Sequence, residues 1–409
     1  MVAEKDLLYR LWLNDCCSHN PSQVNCLLRE FGTPEEIFKL DLTKPAYSKF
    51  LRLGQRLRIA KNLDAVARNL EAWQKEGIQV LSIDEPAYPE RLREIYDPPQ
   101  ILYVKGELPD FNRMLGVTVV GARKATDDGR RFARAMAKDL AAGGGVIVSG
   151  LAVGADSAAL WGALEAGGIT VAVLAGGVDK IYPKENTELY YHILKHGCIL
   201  SEQPPGTIGK PYFYEQRNRI MVGLSHGVVV VEGEVKSGTA ITVRLAQDAN
   251  ADVFAVPGNP LNAFSALPNE LIRDGCTPMT GALDIIEEYL GRYPEKLEYG
   301  IEQLGKPLVG VKPEEKPKEK PVDWNLSKHE PKKSEITDER FEEWILEKNL
   351  SFEEKKILQV LREQGDEVAF DDIADACGIE TGLLSSQLII LQMKKAVSQS
   401  AGGRYSLQI

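Results

Sequence analysis

The chain has 409 residues, of which 44% are hydrophobic, and a formal net charge of −10. Such a length accommodates two or three domains with sizeable cores. The acidic balance excludes a general nucleic-acid coat, because nonspecific affinity comes from neutralising phosphates with Lys and Arg, so any nucleic-acid site must be a local basic patch. With no N-terminal signal and no apolar run long enough to span a membrane, a cytoplasmic protein without a membrane partner is expected.

Residues 1–76 show helical spacing, as in Leu7, Leu8 and Leu11 and again in Val66, Leu70 and Trp73. Around Gly32 the pattern reads as a helix, a glycine stop, then Thr33 capping the next helix with Pro34 at its first position and Glu36 completing a capping box. Short helices joined by glycine turns predict a small helix-hairpin-helix (SAM-like) bundle, with a packing or interaction role since no basic hairpin stands out.

Residues 77–291 carry apolar, β-branched runs too short for helices, at 117–120, 146–148, 170–174, 228–231 and 253–256. Each is followed by a glycine turn: Gly121-Ala122-Arg123, Ser149-Gly150 through Asp156, Ala175-Gly176-Gly177, Gly233 with Lys236-Ser237-Gly238-Thr239, and Pro257-Gly258. Helical segments at 128–142, 155–166, 185–196 and 240–249 fill the gaps, which predicts an α/β fold with a doubly wound, extended Rossmann-like parallel sheet. In such sheets a ligand lies outside the carboxyl ends of the strands, where these glycine turns gather. Free backbone N–H groups and the positive end of a helix dipole favour an anion there, phosphate being the usual occupant.

From 292 to 345 the chain turns rich in Pro, Lys and Glu and reads as a solvated tether. In residues 346–409, Ser351 with Glu354 makes a capping box, a second helix begins at Asp371, a third runs over 381–394, and two strands at 396–400 and 405–407 flank a tight turn at Gly402-Gly403. That is a winged helix-turn-helix pattern. Its third helix offers Ser385, Ser386 and Gln387, with Lys394 and Lys395 at the far end, and residues 351–409 hold six Lys and Arg against nine Asp and Glu. A protein-contact or weak DNA element is therefore expected rather than a sequence-specific reader.

The basic candidates for a local patch are Arg123, Lys124, Lys210, Arg217, Arg219 and Lys236, the arginine pair lying just ahead of the 228–231 strand. Their convergence at one sheet edge would make an anion site where a lone basic residue would be a solvated surface charge. Phosphates are expected on the N–H groups of Gly121, Gly150 and Ser237 to Thr239 and on the forks of Arg123, Arg217 and Arg219, with Ser149, Lys210, Asn218, Lys236 and Gly238 alongside and Tyr214 offering a face for a base. Lys180 and Lys184 are expected to be ordinary surface residues.

Over residues 80–290 the chain closely resembles the DNA-processing protein A family (DprA, also called Smf). The resemblance is carried by Tyr88-Pro89, Asp97-Pro98-Pro99, Tyr103-Val104-Lys105-Gly106, Val120-Gly121-Ala122-Arg123, Ser149-Gly150-Leu151-Ala152, Tyr182-Pro183-Lys184-Glu185-Asn186, Leu200-Ser201-Glu202, Arg217-Asn218-Arg219-Ile220, Val229-Val230-Val231-Glu232, Ser237-Gly238-Thr239 and Ala255-Val256-Pro257-Gly258. It implies a homodimeric single-stranded DNA-binding protein that protects incoming DNA in natural transformation and helps load the RecA recombinase, without catalysis. The chain departs from the family pattern where Val153 replaces an Arg, Leu160 a His, and Tyr214-Glu215 a Phe-Pro. These changes are expected to remove polar groups from the phosphate face and to add a negative charge beside it.

An enzymatic alternative is a nucleotide or sugar-phosphate hydrolase similar to the phosphoribohydrolases, whose pattern is P-G-G-x-G-T-x-x-E. Here Gly238-Thr239 is present, but no Pro-Gly-Gly precedes it and Thr242 stands where the acid-base Glu belongs. No G-x-x-x-x-G-K-[ST] loop occurs either, since Gly209-Lys210 and Gly305-Lys306 are each followed by Pro. No cofactor or metal is expected: His192 and His196 share a helix face without a third ligand, and Cys16, Cys17, Cys26, Cys198, Cys276 and Cys377 form no C-x-x-C pair, so reduced thiols are expected. Asp156 and Glu202 read as caps or anchors.

Overall fold

The apolar runs become buried strands of one nine-stranded sheet in the computed structural model. It describes residues 2–41, 44–45, 49, 61–293, 350–364, 368–377, 384, 387–388, 390–392, 396–399 and 404–407. The strands are β1 Ile78–Ser82, β2 Ile101–Gly106, β3 Gly116–Val120, β4 Val146–Ser149, β5 Thr170–Val173, β6 Gly197–Ser201, β7 Gly227–Val230, β8 Asp252–Ala255 and β9 Thr277–Pro278, in the order β1-β2-β6-β5-β4-β3-β7-β8-β9. From β6 to β9 neighbouring strands are parallel.

The strands from β3 to β7 are buried along their whole length, as expected where helices cover both faces. Alternate residues feed two cores: Val117, Val119, Ile147 and Val229 pack into one, Val120, Val146, Val148, Val228 and Val230 into the other. The expectation of an all-parallel sheet is corrected at one edge. β2 pairs antiparallel with β6, and β1 pairs antiparallel with β2, the connection 83–100 holding only the short helix Glu90–Glu94 and bringing β2 back alongside β1.

The N-terminal helices α1 Val2–Cys16, α2 Pro21–Phe31, α3 Pro34–Lys39 and α4 Leu63–Lys75 belong to the same compact unit as the sheet, Met1–Lys312. α2 stops at Gly32, whose φ of 87° lies in the left-handed region, and Thr33 caps α3: its Oγ1 accepts from Glu36 N–H at 3.3 Å while its own N–H donates to Glu36 Oε2 at 2.8 Å. Leu11 and Leu70 join the core around Ile78, Ile101 and Tyr103, and the Trp73 and Tyr103 rings meet edge to face at 5.2 Å. Buried polar ties add to this: Asn25 donates to the Pro98 carbonyl at 3.1 Å, Gln100 donates to Asn25 Oδ1 at 2.7 Å, and Arg10 reaches Gln100 and Asp84.

Helices of the sheet region follow as α5 Glu90–Glu94, α6 Asp127–Ala142, α7 Ala155–Glu165, α8 Thr187–His196, α9 Pro211–Gly223, α10 Gly238–Asp248, α11 Ala266–Arg273 and α12 Leu283–Tyr289. The second compact unit, Pro313–Ile409, contains α13 Phe352–Gln364, α14 Phe370–Cys377 and a three-stranded sheet of β10 Val368–Ala369, β12 Arg404–Leu407 and β11 Val397–Gln399. Ser351 caps α13, its Oγ accepting from Glu354 N–H at 3.1 Å, and Ile357, Leu361, Ile373, Leu388, Leu391 and Tyr405 form a core of its own. The tether from 294 onward, Ser385, Ser386, Lys394 and Lys395 of the third C-terminal helix, and the Gly402-Gly403 turn lie outside the described residues.

Candidate nucleic-acid interface

After β3 the chain winds through β4, β5 and β6 in one direction, then returns to lay β7 on the other side of β3. The β3–β7 pair is therefore the point where strand order reverses, and the loops leaving it must part and open a crevice. A cavity of about 470 Å³ occupies that place. It is lined from the β3 side by Gly121, Ala122, Arg123 and Lys124, from the β7 side by Gly233, Glu234, Ser237, Gly238 and Thr239, and from α9 by Tyr214, Arg217, Asn218 and Met221.

Each wall has a local cause. At the start of α10, Ser237 is the N-cap: its Oγ accepts from Ala240 N–H at 3.4 Å and donates to the Glu234 carbonyl at 2.6 Å. The N–H groups of Gly238 and Thr239 precede any intrahelical acceptor and stand at the positive end of the helix. On the opposite wall Arg123 and Lys124 are exposed, and the Arg123 guanidinium lies 5.8 Å from the Tyr214 ring centroid. Tyr182 meets Tyr214 edge to face at 6.3 Å and is 58% exposed, so two aromatic rings and a cation share one rim. Burial raises the Tyr214 phenol above its ordinary range, with Tyr182 adding to the effect, and the hydroxyl stays protonated. Glu232 braces the floor, accepting from Thr126 N–H and Oγ1, each at 2.7 Å, and from Asn262 at 3.1 Å.

Of the residues expected to hold phosphate, Gly121, Arg123, Tyr214, Arg217, Asn218, Ser237, Gly238 and Thr239 all line this cavity. Ser149, Gly150, Lys210, Arg219 and Lys236 do not. Ser149 Oγ is buried and donates to the Val119 carbonyl at 2.7 Å, and the Gly150 N–H is already given to Asp156 Oδ2 at 3.1 Å. Lys210 is exposed at the residue before α9 with its ammonium 5.9 Å from the Phe213 ring and no side-chain capping bond, and Lys236 is exposed just ahead of Ser237.

The arginine pair requires correction. Arg217 is 8% exposed, and its guanidinium donates to the carbonyl oxygens of Gly150, at 2.8 Å, and Val173, while Nε donates to Asn218 Oδ1 at 3.1 Å. Burial pushes Arg217 down and Asp156 up from their ordinary pKa ranges, and their mutual attraction opposes both shifts. Arg217 thus underlies the cavity floor as a structural cation. Arg219 pairs with the buried Glu202, whose pKa burial raises against the pull of that same arginine. Of the three forks expected on phosphate, Arg123, Arg217 and Arg219, only Arg123 is exposed at the cavity, with Lys124 beside it.

The departures at Leu160 and Glu215 also fall elsewhere than expected. Leu160 is wholly buried in the core, Glu215 is exposed, and neither these two nor Val153 is among the lining residues. Thr242, at the position where a hydrolase would carry its carboxylate, accepts from Asn218 Nδ2 at 3.0 Å and donates to the Gly238 carbonyl at 3.3 Å, tying α9 to α10. His192 lies 3.9 Å from Glu188 and 5.2 Å from the Trp161 ring, Lys180 pairs with Asp179, and all six cysteines are thiols. Among the described residues no group of His, Cys, Asp or Glu is arranged to hold a metal, and no helix is long and apolar enough to cross a membrane.

Fold and cavity together define a doubly wound α/β protein with a crevice at its switch point, walled by exposed cations and a helix N-terminus. Residues 79–290, which cover the sheet and its flanking helices, match the family described as DNA recombination-mediator protein A, and the chain belongs to that DprA/Smf family. It is 35% identical over 275 residues to the DNA processing protein DprA of Bacillus subtilis, covering 64% of this chain and 93% of that one. Over 208 residues it is 39% identical to the DNA processing protein DprA of Streptococcus pneumoniae, covering 51% of this chain and 73% of that one. The X-ray structure of DNA processing protein A from Streptococcus pneumoniae superposes with a TM-score of 0.61 at 30% identity, covering 69% of this chain and 97% of that one.

Proposed function

We propose that this chain binds single-stranded DNA across the switch-point cavity and acts as a DNA-processing protein in transformation and recombination. In this reading it protects the incoming strand, helps load the RecA recombinase and works as a cytoplasmic homodimer, with two cavities giving avidity along one strand. The N-terminal helices form a SAM-like packing module and the C-terminal unit a winged helix that meets protein partners. The role is binding, not turnover. Membership of the DprA/Smf family supports this, and the observation that carries it is local: exposed Arg123 and Lys124 face the open N-terminus of α10 across a cavity rimmed by Tyr214. Phosphate suits the cations and amides, and a base suits the ring.

The test is fluorescence anisotropy with a labelled oligo-dT strand and the matching duplex at two salt concentrations, on wild type and on the Arg123→Ala, Lys124→Ala double variant. Both side chains are exposed, so the substitutions spare the fold, which Arg217→Ala and Arg219→Ala would not. Wild type is expected to prefer the single strand and the variant to lose affinity, with the salt slope flattening by about 0.7 for each phosphate contact removed. Equal binding by wild type and variant, or none by either, overturns the proposal and directs attention to nucleotide ligands.

A further inference from the structure

A second cavity, of about 290 Å³, lies where the turn between α1 and α2 meets the start of α9. It is lined by His19, Gln23, Tyr212, Phe213 and Gln216 among others, all within the first compact unit. α9 serves both cavities: Tyr212 and Gln216, four apart, face the second, while Tyr214, Arg217, Asn218 and Met221 face the first, as helical spacing dictates.

The chemistry of the two differs. The first is set with cations and helix amides, whereas no Asp, Glu, Lys or Arg lines the second. His19, its one titratable imidazole, is held below its ordinary pKa by burial, against the pull of Asp15, and is neutral at neutral pH. A phosphate has no counter-charge here. The side-chain amides of Gln23 and Gln216 offer donors and acceptors, and Gln216 Oε1 is buried with no hydrogen-bond partner, an acceptor that calls for a donor. Tyr212 is 52% exposed and supplies an aromatic face. A neutral, flat, hydrogen-bonding group stacked on a ring describes a nucleobase.

We propose that this second cavity receives an unstacked base from the same single strand whose phosphates cross the first, an inference that rests on the single-strand reading above. The two pockets sit on either side of one helix, roughly 10 Å thick, so a strand passing over its N-terminus engages both. Exposed Lys210, at that N-terminus, meets the connecting phosphate.

The experiment uses the full chain with two labelled 20-nucleotide strands, dT and an abasic strand that keeps every phosphate, and compares wild type with Tyr212→Ala, Gln216→Ala and the Arg123→Ala, Lys124→Ala double variant. Loss of one stacked base weakens binding by about 5- to 150-fold. Tyr212→Ala is expected to weaken dT binding within that range, Gln216→Ala to weaken it less, and both to bind the abasic strand as wild type does. The Arg123, Lys124 variant should lose affinity for both strands. Wild-type affinity for dT in Tyr212→Ala and Gln216→Ala overturns the base pocket while leaving the first cavity intact, and an equal loss on dT and abasic strands assigns these residues to the backbone and overturns it too. Absence of any binding by wild type fails the underlying reading instead. Thymidine monophosphate binding as tightly as the dT strand, and lost in Tyr212→Ala, makes the pocket a free-nucleotide site and overturns the strand assignment.

Discussion

Arg219 and Glu202 are 11% and 8% exposed at their side chains, and they illustrate what a sequence hides at the scale of single residues. A guanidinium fork reads the same whether it meets phosphate or a carboxylate, and the partner that decides the matter lies in β6's trailing loop rather than beside it in α9. Arg217 is similar: its acceptors, the carbonyls of Gly150 just after β4 and of Val173 at the end of β5, are brought to it only by the sheet. Exposed Arg123 needed no such partner, and its position straight after a strand was legible. Removing Arg219 alone leaves Glu202 buried without its cation, which typically costs about 3–5 kcal/mol, whereas replacing both members with apolar residues is often near neutral. Urea denaturation should therefore show Arg219→Ala far less stable than wild type and the Arg219→Met, Glu202→Leu double variant close to it. An Arg219→Ala protein of full stability that binds the strand more weakly would return Arg219 to the DNA.

Among the elements, strands followed by glycine turns were readable because a fully buried strand is a continuous apolar run. α9 was not, although Pro211 at its first position is a start signal, because its stripe is broken: Phe213, Ile220 and Met221 are buried, and the buried position between them is Arg217. The glycines were legible as a group but not in their separate purposes. A Cβ on Gly150 would lie 2.2 Å from Arg217 Nη1, so that glycine makes room for an arginine. Gly238 is different, since a Cβ there would meet nothing within 4 Å and its space opens on the cavity. Gly238→Leu should consequently leave the melting temperature nearly unchanged, a surface substitution costing within about 0.5 kcal/mol, while a side chain standing over the α10 amides weakens single-strand binding at least tenfold. Gly150→Ala should reverse that pattern, lowering the melting temperature first. Unchanged binding in a well-folded Gly238→Leu protein would remove the α10 N-terminus from the site.

For the molecule as a whole, the parallel sheet was legible from strands alternating with helices, but its antiparallel edge was not, since β2 finds β6 across some ninety residues and nothing local to either states the direction. Long-range packing at the start of β7 sets a pH response. The backbone N–H of His226 donates to the Gly116 carbonyl at 2.8 Å, its ring Nε2 contacts Tyr293 Oη at 2.7 Å, and burial, with Arg91 and Arg292, lowers its pKa to about 4 from 6.5, Asp252 opposing. Between those values the unfolded chain takes up a proton that the folded chain refuses, so stability falls as pH drops through that window. His226→Gln should show a shallower loss of urea midpoint from pH 7 to pH 4.5 than wild type, and parallel losses would place the response elsewhere. Charge enters last, because a chain of −10 cannot attract a strand by its overall field. In the proposed reading each protomer holds the strand through a few exposed cations, Arg123 and Lys124 on the cavity wall, Lys236 just ahead of the α10 N-terminus and Lys210 at the α9 N-terminus. Four contacts at about 0.7 each predict a log–log salt slope near −3 for single-stranded DNA. A slope much steeper than that would mean a wider basic surface than this crevice provides, and one near zero would mean that stacking on Tyr214 and Tyr212, not phosphate, holds the strand.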